Sequence, residues 1–495
     1  MNPHPTPAHA PANTPAHTIP RAAGDAATTS STGAIRVGTA STDTVAAHVL
    51  AGALRWIEAC LGWFAPARWE EYLPARPFRA GPLLELLGLL RVLRRADLLP
   101  ADAPLATGAL DLAEEVVHGA DFAGGLRRGD AYFPYHLNLI GLLAAHGRPQ
   151  PDLHAFGTAL LAADAGGHAQ PCAPALNRLE LRYFADRGGF AAPPYLPGLR
   201  ALLARTCACR APDPLHLGES ETYALTHAVF YGTDFGAEPF LPDSGPEPFA
   251  PDAGAAFDLP DGGAGARLRE TIRVLLGVHL ARGSLDLLAE LLLCETVLGV
   301  APGPYTAAAW QALAGALHAD GAVPSPVHRP EVRARLSGTK ATAYDVGTCY
   351  HTTTVAALAA AIHIERNRER GDDPGQGPHH SRTADPHAAA PLTAGPLTAA
   401  PRTALPRAAP VAVREWAEAT VEALCANPPP PAGLRAAWAD NLDPLLVIAV
   451  RDRDEETVSA LLRTAARLGV SARPTARSAR ALLGAWTSCP PGEPP

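Results

Sequence analysis

The chain has 495 residues, of which 47% are hydrophobic and 18% are charged, so it is long enough to bury a large core. Its net charge of −8 and its single lysine, Lys340, leave no basic surface of the kind that nucleic acid binding needs. The apolar runs are too short to span a bilayer, and eight cysteines are few for a secreted disulfide-bonded fold, so we expect a protein of a reducing bacterial cytoplasm with no membrane and no nucleic acid as partner.

Two segments divide the chain. Residues 1–40 and 371–410 are rich in Pro, Ala and Thr and lack an apolar period, which predicts a disordered N-terminal segment and a disordered linker. Between them lies a main domain, 41–370, and after them a small helical segment, 411–495. We expect a Pro-rich insertion between 237 and 266 of the main domain.

The main domain has the periodicity of one helix after another. Asp43 is the expected N-cap of the first helix, Pro82 lies in the first turn of a second helix, and Gly147 follows the end of another. No period-two strand is evident. The predicted helices are 43–64, 81–99, 105–118, 135–147, 152–163, 175–186, 196–206, 219–234, 267–281, 284–299, 305–318 and 349–369.

Short Gly/Pro turns join these helices, which predicts an all-α fold of antiparallel hairpins. Uneven hairpin lengths and the absence of a fixed repeat favour a closed α/α toroid, and an open helical solenoid is the alternative.

The stretch "ESETYALTHAVFYGTDFG" is the first candidate site. At about 100° per residue, Glu219, Tyr223, His227, Phe230 and Asp234 fall within about 80° of one another on a continuous helix. Exposed aromatic residues are uncommon on a solvated face, so this face is expected to line a cavity. The alternative is that the histidine and the aspartate are satisfied interior groups that bond to loops.

Two further segments carry thiols. Cys294 follows Glu290 by one turn in "SLDLLAELLLCETVLG", and Cys349 and His351 lie at the predicted start of the helix 349–369. Together with His227, these cysteines and this second histidine form a hypothetical zinc site, because thiolate and imidazole are the usual zinc ligands. An interior cysteine that only fills space is the alternative.

The candidate catalytic residues around this hypothetical metal site are Asp234, Glu290 and Tyr223. The two carboxylates would act as general bases or would hydrogen-bond to the metal ligands.

Two other polar stretches give weaker indications of a site. In "NRLELRYFADRGG", Arg178, Glu180 and Arg182 are expected to form ion pairs on a helix surface. In "DAYFPYHLNL", Tyr132 and Tyr135 either line the same cavity or simply pack.

Five stretches, "LRWIEACLGWF", "NRLELRYFAD", "ETYALTHAVFYGTDFG", "LLLCETVLG" and "YDVGTCYHTTTVAAL", resemble an uncharacterised all-helical domain family of actinomycete-type bacteria over residues 41–370. A looser resemblance is to the α/α-toroid zinc enzymes, lanthionine cyclases and protein prenyltransferases. The chain lacks the adjacent Cys-His pair of the first and the Asp-x-Cys of the second, so no catalytic role is transferred from them.

Two functions follow from these features. The first is a tailoring enzyme of specialised metabolism or peptide modification, whose cavity takes a small molecule or a peptide. The second is a non-enzymatic helical scaffold whose polar face binds a peptide or a partner helix.

Overall fold

The computed structural model describes residues 41–170, 172–210, 212–240, 263–371, 405–427 and 429–488. The predicted N-terminal segment 1–40, most of the linker 371–410 and most of the insertion between 237 and 266 lie outside the described residues.

The prediction of an all-α fold is confirmed, because the described residues contain 19 α-helices and no strand. The helices of the main domain are α1 (Thr42–Ala59), α2 (Pro66–Tyr72), α3 (Gly81–Arg95), α4 (Pro104–His118), α5 (Ala120–Arg128), α6 (Phe133–Ala145), α7 (Pro151–Ala162), α8 (Ala175–Arg187), α9 (Leu199–Leu203), α10 (Glu219–Gly232), α11 (Ala264–Arg282), α12 (Leu285–Val297), α13 (Thr306–Ala316), α14 (Pro330–Arg333) and α15 (Gly338–Gly371). The C-terminal helices are α16 (Pro410–Leu424), α17 (Ala432–Arg451), α18 (Glu455–Leu468) and α19 (Pro474–Ser488).

Local sequence signals set most of the helix ends. Pro82 lies in the first turn of α3, where its missing N–H leaves no backbone acceptor unsatisfied, and Gly147 follows α6 with a left-handed φ of 82°. The expected N-cap of α1 was wrong. Ser41 caps this helix, accepting a bond from the backbone N–H of Thr44 at 3.2 Å, and Asp43 lies in the first turn.

The predicted helix start at 349 was also wrong, because α15 continues unbroken from Gly338 to Gly371. The threonines do not cap a helix start. Thr348 and Thr354 donate to carbonyl oxygens one turn back, at 2.7 and 2.8 Å. A Cβ on Gly347 would lie 2.9 Å from a methyl of Leu73, so the glycine permits close packing in this helix. Tertiary packing therefore overrides the low helix propensity of Gly and Thr here.

Helix α15 organises the main domain, since it packs against α1, α3 and α12. Its middle is almost wholly buried, with Val355 and a run of alanines up to Ile362 in the core. Small side chains let neighbouring helices approach closely, which brings polar residues of α3, α12 and α15 into one region. The toroid and its alternative, the solenoid, stay predictions.

The C-terminal helices pack onto α11 of the main domain. Val274 and Val278 of α11 share a hydrophobic cluster with Trp438 and Leu446 of α17. The region after the linker is thus covered on one side by the main domain, while the predicted domain boundaries stay predictions. None of the helices in the described ranges is both long and apolar enough to cross a lipid bilayer.

One close backbone approach gives a stability prediction. A Cβ added to Gly321 (φ 102°) would lie 2.1 Å from the carbonyl oxygen of Gly52 in α1. Replacement of Gly321 by alanine is expected to lower the free energy of unfolding by about 2 kcal/mol more than Gly147→Ala, because both residues have positive φ but only Gly321 also meets a backbone atom. Urea denaturation of the two variants measures this difference, and equal losses would contradict it.

Candidate functional site

A half-enclosed cavity of about 230 Å³ lies between α3, α6, α8, α10, α12 and α15. Aromatic rings make up much of its wall, from Phe78, Tyr132, Tyr135, Tyr183, Phe184, Phe230, Tyr231 and Phe235. Its ionisable lining residues are Glu85, Glu180, Glu290, His227, His351, Arg76, Arg91 and Arg187. A concave, mostly apolar site with a few converging polar groups is the usual form of a small-molecule pocket.

Helix α10 brings part of its predicted face to this cavity. His227 and Phe230 line the wall, while Leu225, Ala228 and Val229 are buried on the opposite side. Because Glu219, at the first residue of α10, is exposed, the predicted face enters the cavity only over its second half.

Glu290 on α12 is the most deeply buried acid of the cavity wall, with 1% of its surface exposed. Burial raises its pKa to about 8, against a contribution of the Thr226 hydroxyl that lowers it. Thr226 Oγ1 lies 2.5 Å from Glu290 Oε2 and 2.9 Å from the carbonyl oxygen of Tyr223. Thr226 has one hydroxyl proton for these two acceptors, and when it donates to Glu290 it favours the ionised acid, which opposes the effect of burial.

His227 lies next to this acid in the neutral form. Its Nδ1 donates to the carbonyl oxygen of Tyr223 at 2.8 Å and is 3.8 Å from Glu290 Oε2. Burial lowers the pKa of His227 to about 4, and the charge of His351 adds to this effect. Of the two histidines of the cavity, His351 is therefore the one that is charged at neutral pH.

His351 on α15 is paired with Glu85 on α3, Nδ1 to Oε2 at 2.9 Å. Burial lowers the pKa of His351, but the charge and hydrogen bond of Glu85 outweigh this effect and raise it to about 9. His351 is thus an imidazolium at neutral pH. Glu290 is a further acid in the wall of the same cavity.

Glu180 on α8 also lines the cavity. The prediction that it forms an ion pair on the helix surface was wrong. Its Oε1 accepts a bond from the Tyr231 hydroxyl at 2.7 Å, and the Tyr135 hydroxyl is a second donor. Burial raises the pKa of Glu180 to about 7, despite these two donors. Arg182 does form an ion pair on the helix surface as predicted, with Asp186 at 2.8 Å, one turn along α8.

Asp234 lies beyond the end of α10, which stops at Gly232 rather than at the predicted residue 234. Its φ is 48°, and Phe235 and Gly236 are also left-handed, at 53° and 89°. This turn takes Asp234 off the helical face. The carboxylate is 3% exposed and accepts two bonds of 2.7 Å from Arg91.

Two more donors complete the surroundings of Asp234. The Tyr183 hydroxyl donates to Oδ1 at 2.6 Å, and Arg187 lies 3.2 Å from Oδ2. Asp234 is not among the residues that line the cavity; it holds two of the cavity's arginines in place.

Tyr223, the third candidate catalytic residue, also lies outside the cavity lining. Its hydroxyl donates to Asp286 on α12, one turn before Glu290. The hydrogen bond ties α10 to α12 and so fixes the position of Glu290 relative to His227. Of the three candidate catalytic residues, the structure places only Glu290 at the cavity.

The structure does not bring the four predicted zinc ligands together. His227 and His351 line the cavity, whereas Cys294 lies 4.0 Å from the carbonyl oxygen of Thr226 and Cys349 lies 3.7 Å from His328 Nδ1. Both thiols are fully buried, and burial raises both pKa values, that of Cys349 to about 12.

Within the described ranges, no group of three or more His, Cys, Asp or Glu side chains is arranged to hold a metal ion. The zinc hypothesis stays a prediction.

The family model described as a domain of unknown function, DUF6895, matches residues 50–361. The chain belongs to this family. Every residue that lines the cavity lies inside the matched range, whereas the C-terminal helices α16–α19 lie outside it. The cavity is thus a feature of the DUF6895 domain itself.

No curated protein and no solved structure matches the chain. The uncharacterised family expected from the sequence is confirmed, while its actinomycete origin and the looser similarity to zinc enzymes stay predictions.

Sequence reasoning missed Glu85 and Glu180, which face the cavity of the DUF6895 domain from α3 and α8. Each is a lone carboxylate beside leucines, in "LLELLGLL" and "RLELRYF". Burying an acid inside an apolar stripe costs free energy unless the acid is paired or takes part in the function of the site. This pattern is therefore the signal that could have identified both residues.

Proposed function

We propose that the chain is an enzyme that binds a small organic molecule or a peptide side chain in this cavity and transfers a proton through Glu290. One observation carries this proposal: an acid with 1% exposure that lines a cavity with a largely aromatic wall and has a pKa raised to about 8. Catalytic acids and bases work best when their pKa lies near the working pH, and burial is the usual means of raising a carboxyl to that value.

The neighbours of Glu290 support this role. Neutral His227 supplies a hydrogen-bonding ring near the acid, and the His351–Glu85 ion pair supplies a positive charge. The imidazolium stabilises negative charge that forms on a substrate when Glu290 takes a proton. In the reverse direction, protonated Glu290 donates to a basic atom of the substrate.

Nitrobenzisoxazole is a suitable probe, because a base that removes its ring C–H proton breaks the N–O bond and releases a coloured cyanophenolate. We expect the protein to accelerate this elimination, with kcat/KM rising as the pH passes about 8 and Glu290 becomes ionised. Glu290→Gln is expected to lower kcat/KM by about a hundredfold, the usual contribution of a positioned base.

The matched control is Glu58→Gln, which removes an exposed carboxylate of α1 and should leave the rate unchanged. Equal rates for the wild type and Glu290→Gln would contradict the proposal.

A binding protein without catalysis is the second candidate, and the aromatic wall favours it. Tyr183 and Tyr231 stack with ring centroids 5.0 Å apart, and Phe230 and Phe235 stack at 5.4 Å. Such rings bind an apolar body whether or not chemistry follows. Saturable binding of the probe with no elimination at any pH would favour this function.

A further inference from the structure

Glu180 differs from the other two acids of the cavity in its partners. Glu85 has His351 at 2.9 Å, and Glu290 has His227 at 3.8 Å. Glu180 accepts hydrogen bonds from two tyrosine hydroxyls, and among the described residues no Arg, Lys or His forms an ion pair with it. A carboxylate accepts about four hydrogen bonds, so this one has capacity left for a donor that enters the cavity.

Aromatic rings surround this carboxylate. We define the aromatic cage as Tyr135, Tyr183, Phe184 and Tyr231. The centroid of Tyr231 lies 5.0 Å from that of Tyr183 and 5.6 Å from that of Phe184, and Phe184 lies 6.2 Å from Tyr135. Ring faces of this kind attract cations, and they do so most strongly where water is excluded.

Each arginine of the cavity wall already has a partner, which is either a carboxylate or a pair of aromatic rings. Arg91 and Arg187 lie 2.7 and 3.2 Å from Asp234. Arg76 lies over the rings of Trp69 and Tyr350, at 5.1 and 4.9 Å from their centroids. None of these arginines forms an ion pair with Glu180, so Glu180 is the carboxylate of the cavity wall that has no Arg, Lys or His partner among the described residues.

We propose that the ligand of this cavity carries an ammonium group, which sits in the aromatic cage against the carboxylate of Glu180. This inference rests on the proposed function and names its substrate class: a small amine with an apolar or aromatic body. The two tyrosine hydroxyls hold the carboxylate in place before the ligand arrives, so little side-chain ordering is left for binding. Glu290, with His227 and His351, is then the group that acts on the rest of the molecule.

Isothermal titration calorimetry with three probes of similar size tests the ligand class. The probes are phenethylamine, phenethyl alcohol and phenylacetate, which present a cation, a neutral hydroxyl and an anion on a phenyl ring. We expect the amine to bind at least about tenfold more tightly than either other probe, because it alone forms a charge-assisted bond to Glu180 and a cation–π contact. Glu180→Gln is expected to remove this preference, and Glu58→Gln to keep it.

A second variant distinguishes a change at the aromatic cage from a loss of folding, because it alters the site less than Glu180→Gln does. Tyr231→Phe keeps the ring but deletes one donor to Glu180. Because that donor favours the ionised form of Glu180, the preference for the amine should fall severalfold, while the alcohol binds as before. Binding of phenylacetate or phenethyl alcohol as tight as that of phenethylamine would overturn the ligand class, as would binding of none of the three. These binding results do not bear on the elimination assay, which tests the catalytic role of Glu290 separately. A failure of that assay would contradict the proposed catalysis and not the ligand class.

Discussion

Replacement of Arg91 by alanine is expected to lower the free energy of unfolding by about 3 kcal/mol, at the lower end of the range for removing one partner of a buried ion pair. Asp234 is 3% exposed, and one guanidinium nitrogen of Arg91 lies 2.7 Å from both of its carboxylate oxygens. Without the guanidinium, the carboxylate stays buried with only Tyr183 and the more distant Arg187 beside it. Urea denaturation measures the loss.

Two further variants identify the cause. Arg187→Ala should cost less than about 1 kcal/mol, because this side chain is 40% exposed and its contribution is screened by water. The double variant Arg91→Ala with Asp234→Asn should recover part of the loss, because the buried charge is removed together with its partner. A double variant less stable than Arg91→Ala alone would show that the arginine acts through packing rather than through its charge.

Local patterns were sufficient to predict most of the helices. The signals at Pro82 and Gly147 act within one turn of the chain, and α3 and α6 begin and end close to them. Helix α15 could not be predicted in the same way. Gly347 and the threonines around it have low helix propensity, and only contacts with distant elements such as Leu73 explain why the helix continues through them.

The candidate site was predictable only in part for the same reason. His227, Glu290 and His351 were identified by local pattern, whereas the partner of His351 is Glu85, 266 residues away in the chain. No periodicity links two such positions. Local pattern does not assign the cysteines either, because a thiol that is chemically suited to zinc also suits a small space in the core, and Cys294 and Cys349 are both fully buried.

Glu290→Gln is expected to become progressively more stable than the wild type as the pH rises. The folded-state pKa of Glu290 is raised by burial from 4.5 to about 8, so the folded protein retains a proton that the unfolded chain loses. The stability that this proton contributes is complete below pH 4.5 and is lost as the pH rises to about 8, with a slope of up to about 1.4 kcal/mol per pH unit.

Glutamine has the shape of the protonated acid and does not titrate, so this slope should be absent from the variant. His351 and Glu180 also lose stabilising protons as the pH rises, towards about 9 and about 7, but both remain in the variant, and the difference between the two proteins isolates Glu290. Urea denaturation at pH 5, 7 and 9 measures that difference, with the exposed Glu58→Gln as the control for a lost surface charge. A stability difference that stays constant across this range would mean that Glu290 is already ionised in the folded protein at pH 5. Its pKa would then not be raised, and the proposed role in proton transfer would lose its main support.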